Sequence, residues 1–174
     1  MKPLHLLIAL ALGFALGALA FSLFSQQEIN CPACLNGRIE TVFSPDSESE
    51  IISIIRSANK SIDVEMYLFS YGGLVDELID AKTRGVAVRV ILEPRLSGDN
   101  ANLATMERLR DGGIPAKWAT LDYKLTHTKA VIIDGKKVLV GSTNWSTSAL
   151  TRNREYSVLI EDENVAREFL LNFE

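Results

Sequence analysis

Histidine and cysteine are scarce in this chain, two of each in 174 residues, and each shortage excludes something. Cys31 and Cys34 stand together in "CPAC". A structural zinc site wants four ligands, and no other cysteine is present to complete one within a single chain. What remains is a local disulfide or a pair of free thiols, a zinc ion shared between two chains, or redox chemistry. The last would want the motif opening a helix of a thioredoxin-like unit, whereas here it falls in a loop; outside the cytoplasm, a disulfide is the expected fate. No low-complexity tract or internal repeat occurs, which removes solenoids and disordered arrays. Excess positive charge is missing as well. The net charge of −4 excludes a protein held on nucleic acid by overall charge alone. No cluster of metal-ligand residues is recognisable.

Long apolar runs are absent too, with one exception. From Leu4 to Phe24, "LHLLIALALGFALGALAFSLF" has only His5 and Ser22 as polar breaks. As a helix it would cover about 30 Å, the thickness of a bilayer core. Its length favours an uncleaved signal anchor, since a signal-peptide core is about 7–15 apolar residues; Ala18-Leu19-Ala20 nonetheless resembles a peptidase site. Lys2 precedes the run and the next cation is Arg38, so the positive-inside rule places the following domain outside the cytoplasm. Gly13 and Gly17 form a weak GxxxG helix-pairing signal. Residues 1–25 are therefore expected to be an anchor or a secretion signal, 26–37 a linker carrying CPAC, and 38–174 one domain.

That domain should alternate strands with helices. Arg38 to Phe43 reads as a strand; Ser47 and Glu50 have capping-box spacing before a helix whose apolar positions are Ile51, Ile54, Ile55 and Ala58. Ser61 to Ser70 alternates as a strand. A helix from Leu74 to Thr83 ends at Gly85, "VAVRVIL" is a β-branched strand, and a helix from Asn102 to Arg110 is closed by Gly112-Gly113. "AVIID" and "KVLVGS" flank Asp134-Gly135, a hairpin signal. A strand from Glu155 to Ile160 precedes a helix starting near Glu163, whose pattern is still helical at "FLLNFE". This is an α/β class: a layered α-β-α domain on a mixed sheet, preceded by an N-terminal hydrophobic helix.

The remaining histidine, His127, lies in "THTKAVIIDGKKVLVGSTN". In an extended segment His127 and Lys129 share a face, and the hairpin brings Gly141-Ser142-Thr143-Asn144 back towards them. A nucleophile or base, a fixed cation, a hydroxyl and an amide together suit a phosphodiester, whose non-bridging oxygens carry charge in the transition state. His-x-Lys-x4-Asp alone would arise by chance in roughly one chain in a hundred, and requiring Gly-Ser-x-Asn seven residues later lowers that by about three orders of magnitude. Between Lys124 and Arg154 there are six cations against one anion, Asp134, a local patch suited to a polyanion. Tyr123 and Trp145 flank the motif as candidates for stacking on bases, although core packing is the expected use of at least one of them.

His127, Lys129, Asp134, Gly141, Ser142 and Asn144 resemble the His-Lys-Asp motif of the phospholipase D superfamily, and "NREYSVLIED" resembles the segment that follows it. "FSPDSESEIISIIRSANKSIDVEMYLFS" and "LIDAKTRGVAVRVILE" are similar to the small one-motif members, bacterial periplasmic endonucleases and mitochondrial Zucchini-type proteins. The resemblance implies a metal- and cofactor-free phosphodiesterase. His127 would attack phosphorus while a second histidine protonates the leaving oxygen; Lys129, Ser142 and Asn144 would bind phosphate, and Glu155 would accept a hydrogen bond from an imidazole. Asp134 belongs to the motif, and its place at a turn suits bracing better than titration. Because His5 lies in the leader, the second histidine must come from another copy, which implies a homodimer with a shared site. Nucleic acid is the expected substrate. The alternative is a membrane phospholipid such as cardiolipin, which would call for an apolar lip in a neighbourhood that reads as mostly polar.

Overall fold

The computed structural model describes residues 37–96 and 100–173. The leader, with His5, and the two cysteines of the linker lie outside the described residues. Among the described residues no helix is long and apolar enough to cross a membrane.

In chain order the elements are β1 (Arg38–Ser44), α1 (Glu48–Arg56), β2 (Ser61–Met66), α2 (Gly72–Thr83), β3 (Ala87–Leu92), α3 (Asn102–Asp111), β4 (Ala116–Trp118), β5 (Lys129–Ile133), β6 (Lys137–Gly141), α4 (Thr147–Thr151), β7 (Glu155–Glu161) and α5 (Glu163–Asn172). The strands form one seven-stranded sheet in the order β1-β7-β6-β5-β2-β3-β4. The β2-β3 and β3-β4 pairs are parallel, as strands joined through helices must be, and the other four pairs are antiparallel. The sheet is mixed and helices cover both faces, the expected class.

Period-two alternation along β5 shows how the layers form. Val131 and Ile133 face the large core with Ile55 of α1, Leu78 of α2 and Leu109 of α3. Ile132 faces the other way, with Val138 and Ala166 of α5. All five residues of β5 are buried, the signature of a strand between two helical layers.

Several boundaries differ from expectation for local reasons. The β2 strand ends at Met66: the Tyr67 amide still bonds Thr128 O opposite it at 2.8 Å, and two residues on the Phe69 amide turns to Asn102 Oδ1 at 2.8 Å. Ser47 makes no capping bond; its hydroxyl pairs instead with that of Ser44 at 2.7 Å. The three-residue β4 and the five-residue α4 are too short to leave a periodic signal. The last helix closes at Asn172.

The β5–β6 hairpin forms where Asp134-Gly135 indicated. Both residues have positive φ, 56° and 63°, and the Lys136 amide donates to Ile133 O at 2.9 Å, as a primed turn requires. The Asp134 carboxylate reaches across to the start of β2 and accepts the backbone amides of Asn59, Lys60 and Ser61 at 2.7 to 3.1 Å. Burial pushes the Asp134 carboxyl up, but these amides together outweigh it and hold the group below its ordinary value. A depressed carboxyl stabilises the fold fully above its unfolded pKa of about 3.9 and loses that contribution as pH falls through the folded value. Asp134→Ala is therefore expected to lower the unfolding free energy by about 1–3 kcal/mol at neutral pH, with the difference from wild type shrinking below about pH 4. Urea titrations across that range check it.

Candidate active site

One edge of the sheet collects the ends that matter: the carboxyl ends of β2, β3 and β6 and the amino ends of β5 and β7. Ligand sites of α/β sheets form at such carboxyl ends. Lys129 opens β5 with 7% of its surface exposed, and its Nζ donates to the His127 carbonyl at 2.8 Å and stands 4.8 Å from the centre of the Tyr67 ring. An ammonium has three donors, so this one bond leaves two for an anion. Burial lowers the Lys129 pKa to about 8, with the charge of Glu155 acting in the opposite direction. The group stays mostly charged at neutral pH, yet is held where water screens it poorly.

His127 is exposed, and its ring lies 4.4 Å from that of Tyr67 at a 56° tilt. Burial first and the Lys129 charge second push the imidazole below its ordinary value, towards the neutral form that a nucleophile needs. Lys129, His127 and Tyr67 thus form one packed unit.

The β6–α4 loop approaches from the other side. A Cβ on Gly141 would come within 2.2 Å of Tyr156 O and 2.4 Å of Ser157 Oγ, so only glycine allows β7 to lie this close. Ser142, expected to bind phosphate, spends its hydroxyl proton on Glu155 Oε2 at 2.6 Å and accepts the Tyr156 amide at 3.1 Å. With no proton left to donate, it orients Glu155 instead. The other oxygen of Glu155 accepts Asn153 Nδ2 at 3.0 Å, and neither oxygen bonds His127 of the same chain. Asn144 is half-buried, and its Oδ1 is buried without a partner among the described residues. Such an orphan costs about 1–3 kcal/mol, so the loop around Asn144 holds it there. Backbone bonds from Trp145 to Leu68, Ser70 and Tyr71 provide that hold.

Two expectations are sharpened and one, the single cation patch, needs correction. Trp145 is 1% exposed and packs edge-on against Phe69 with ring centres 4.7 Å apart, so it is core and cannot stack on a base. Asp134 stands at the hairpin, five residues along the strand from Lys129, about 16 Å away by strand rise; it braces the fold beyond the reach of a phosphorus held by Lys129. Lys136 and Lys137 share that far end and pair with Glu163 and Glu161. The cation patch therefore divides, leaving Lys124, Lys129, Arg152 and Arg154 in the segments flanking the site.

Sequence reasoning passed over Tyr67, Glu93 and Asn102. The Glu93 side chain is fully buried and accepts the amides of Thr126 and Arg95 and the Arg95 guanidinium, at 2.7 to 2.8 Å. Burial pushes its carboxyl up, and these bonds together outweigh that and lower it. Thr126 precedes His127, so Glu93 fixes the loop that presents the histidine. Asn102 ties Tyr67 O and Glu93 O to the start of α3 at 2.8 and 3.0 Å. The available signal was a carboxylate ending the apolar run "VRVIL", a charge that a buried strand end tolerates only when paired. Among the described residues no three His, Cys, Asp or Glu groups stand close enough together to hold a metal ion.

This fold and edge site define a class, and the comparisons agree. Residues 51–174 match the family model described as cardiolipin synthase, PLD-like domain. The chain is 31% identical to a phospholipase D of Rickettsia felis over 192 aligned positions, covering 99% of this chain and 94% of that one. It is 34% identical to the mitochondrial cardiolipin hydrolase of Mus musculus over 136 positions, covering 75% of this chain and 59% of that one. The crystal structure of the phospholipase D family member Nuc from Salmonella typhimurium superposes with a TM-score of 0.73 at 29% identity, over 79% of this chain and 91% of Nuc. The chain belongs to the phospholipase D superfamily and is a hydrolase of that superfamily.

Glu93→Gln is expected to cost about 1–3 kcal/mol of stability and to speed hydrogen exchange at the Thr126 amide more than at amides of the sheet. Amide exchange followed residue by residue measures both.

Proposed function

We propose that the protein is a metal-independent phosphodiesterase that hydrolyses nucleic-acid diesters as a nonspecific endonuclease, in a site shared by two copies of the chain. The observation that carries this is the buried Lys129 ammonium, with two free donors, beside an imidazole held towards its neutral form. His127 attacks phosphorus, forming a P–N bond as the P–O bond to the leaving group breaks. The imidazole of the second copy gives its proton to the leaving oxygen. Water then attacks phosphorus, breaking the P–N bond, and its proton passes to the second copy's imidazole. Lys129 and Asn144 hold the non-bridging oxygens throughout. Glu155, braced by the Ser142 hydroxyl, orients an imidazole across the two-fold axis in this reading. Lys124, Arg152 and Arg154 suit a phosphate backbone, so binding should weaken with salt. The apolar leader would keep the domain at the outer face of a membrane, or export it if cleaved.

A second reading, phospholipid hydrolysis, keeps the same chemistry. It draws on Leu121, Tyr123 and Leu125, which are exposed just before His127 where a polar neighbourhood was expected.

Hydrolysis in EDTA of DNA, RNA and cardiolipin, with His127→Ala as control, tests the reading. Nucleic-acid cleavage that survives EDTA and falls at least about 10³-fold in His127→Ala is expected. A strict metal requirement would overturn it, and lipid cleavage alone would promote the second reading.

The pH dependence follows from the shared pair. Turnover needs one proton on two imidazoles, so kcat/KM should be bell-shaped. Burial and the Lys129 charge both lower the imidazole pKa, which centres the bell on the acid side of neutrality. Lys129→Gln removes a positive neighbour and should shift the bell to higher pH while slowing hydrolysis by about 10²–10³-fold.

A further inference from the structure

The segment between β4 and β5 exposes apolar side chains at alternate positions: Leu121 is 69% exposed, Tyr123 62% and Leu125 38%. It is not a slack loop. Arg95 Nη1 donates to Tyr123 O at 2.8 Å, the Arg95 Nε bonds Glu93 Oε1 at 2.8 Å, and Glu93 Oε2 takes the Thr126 amide at 2.7 Å. One buried carboxylate and one guanidinium thus fix the backbone on both sides of Leu125 and leave the apolar groups in water. Neighbouring apolar groups held out this way, beside a functional group, mark an interaction surface.

Resting on the shared-site reading, we infer that Leu121, Tyr123 and Leu125 form the lip through which a second copy of this chain docks. The chain supplies one histidine to this site; one imidazole stands about 3 Å from the phosphorus it attacks and the other about 3 Å from the leaving oxygen it protonates. The two His127 side chains must therefore converge. Leu125 is two residues from His127, so their Cα atoms are at most about 7 Å apart. A two-fold axis that brings both imidazoles to one phosphorus brings each Leu125 to the seam, whatever diester is cleaved. The interface is isologous, so each lip meets the same surface that it offers. The aromatic pair Phe43 and Tyr156, both about half exposed with ring centres 5.4 Å apart, borders the site on the Glu155 side and is the competing surface.

The test uses the full-length chain in detergent with Cys31 and Cys34 changed to serine. Single cysteines are placed at Leu125, at Phe43, or at the exposed Arg84 beyond the end of α2. Oxidation should cross-link Leu125→Cys to a dimer and leave Arg84→Cys monomeric. Tyr123→Glu, at a more exposed position, should lower hydrolysis of bis(p-nitrophenyl) phosphate at least 100-fold and sediment as a monomer with an unchanged far-UV circular dichroism spectrum. Cross-linking at Phe43 but not at Leu125 overturns the lip and leaves the shared site standing. A Tyr123→Glu protein that keeps full rate on the soluble diester but fails on cardiolipin vesicles also overturns it, assigning the lip to the membrane. A chain that hydrolyses the diester yet cross-links nowhere and sediments as a monomer refutes the shared site itself.

Discussion

The buried ammonium of Lys129 is the constraint from which the rest of the site follows. A lysine at the first position of an otherwise apolar strand is desolvated by the same packing that makes β5 the centre of the sheet. Its charge is tolerated because it sits at the strand's end, where one bond to the His127 carbonyl and the face of Tyr67 replace some of the lost water. The contact also couples chemistry to fold. The backbone that presents His127 is the acceptor for the Lys129 ammonium. A poorly screened charge of this kind acts more strongly on a developing phosphorane than a solvated one would.

Around this pair the fold supplies two supports at opposite ends of the sheet. At the site edge, Glu93 and Asn102 fix the loops before His127 and after β2. At the hairpin edge, Asp134 clamps β5 to the start of β2 through three amides. The motif aspartate is thus a structural anchor at one end of the strand whose other end carries Lys129. Gly141 completes the frame by letting β7 approach close enough to bring Glu155 alongside Ser142.

What was legible in the sequence divides along sequence distance. His127, Lys129 and the hairpin were readable because strand periodicity and turn chemistry act over a few residues. The layered α/β class followed for the same reason, as did helices α1 to α3 and α5. Glu93 was not readable, since its partner Thr126 lies 33 residues away and nothing local marks a carboxylate as buried. Ser142 was misread because its hydroxyl is claimed by Glu155 across the β6–β7 seam. One of Tyr123 and Trp145 was expected in the core, and nothing local said which; a bridge to Phe69 draws Trp145 inward. The six-cation patch lost Lys136 and Lys137 because they stand at the far end of the strand pair from Lys129, paired with Glu163 and Glu161.

The central claim is that two chains build one site around two copies of His127. Its most direct measurement is the activity of dimers assembled from wild-type and His127→Ala chains co-expressed in equal amounts. A shared site that needs both imidazoles leaves only wild-type pairs active, so specific activity should fall to about one quarter of wild type, the fraction of such pairs in a random isologous mixture. A fall to only about one half, as for chains that act independently, would contradict it.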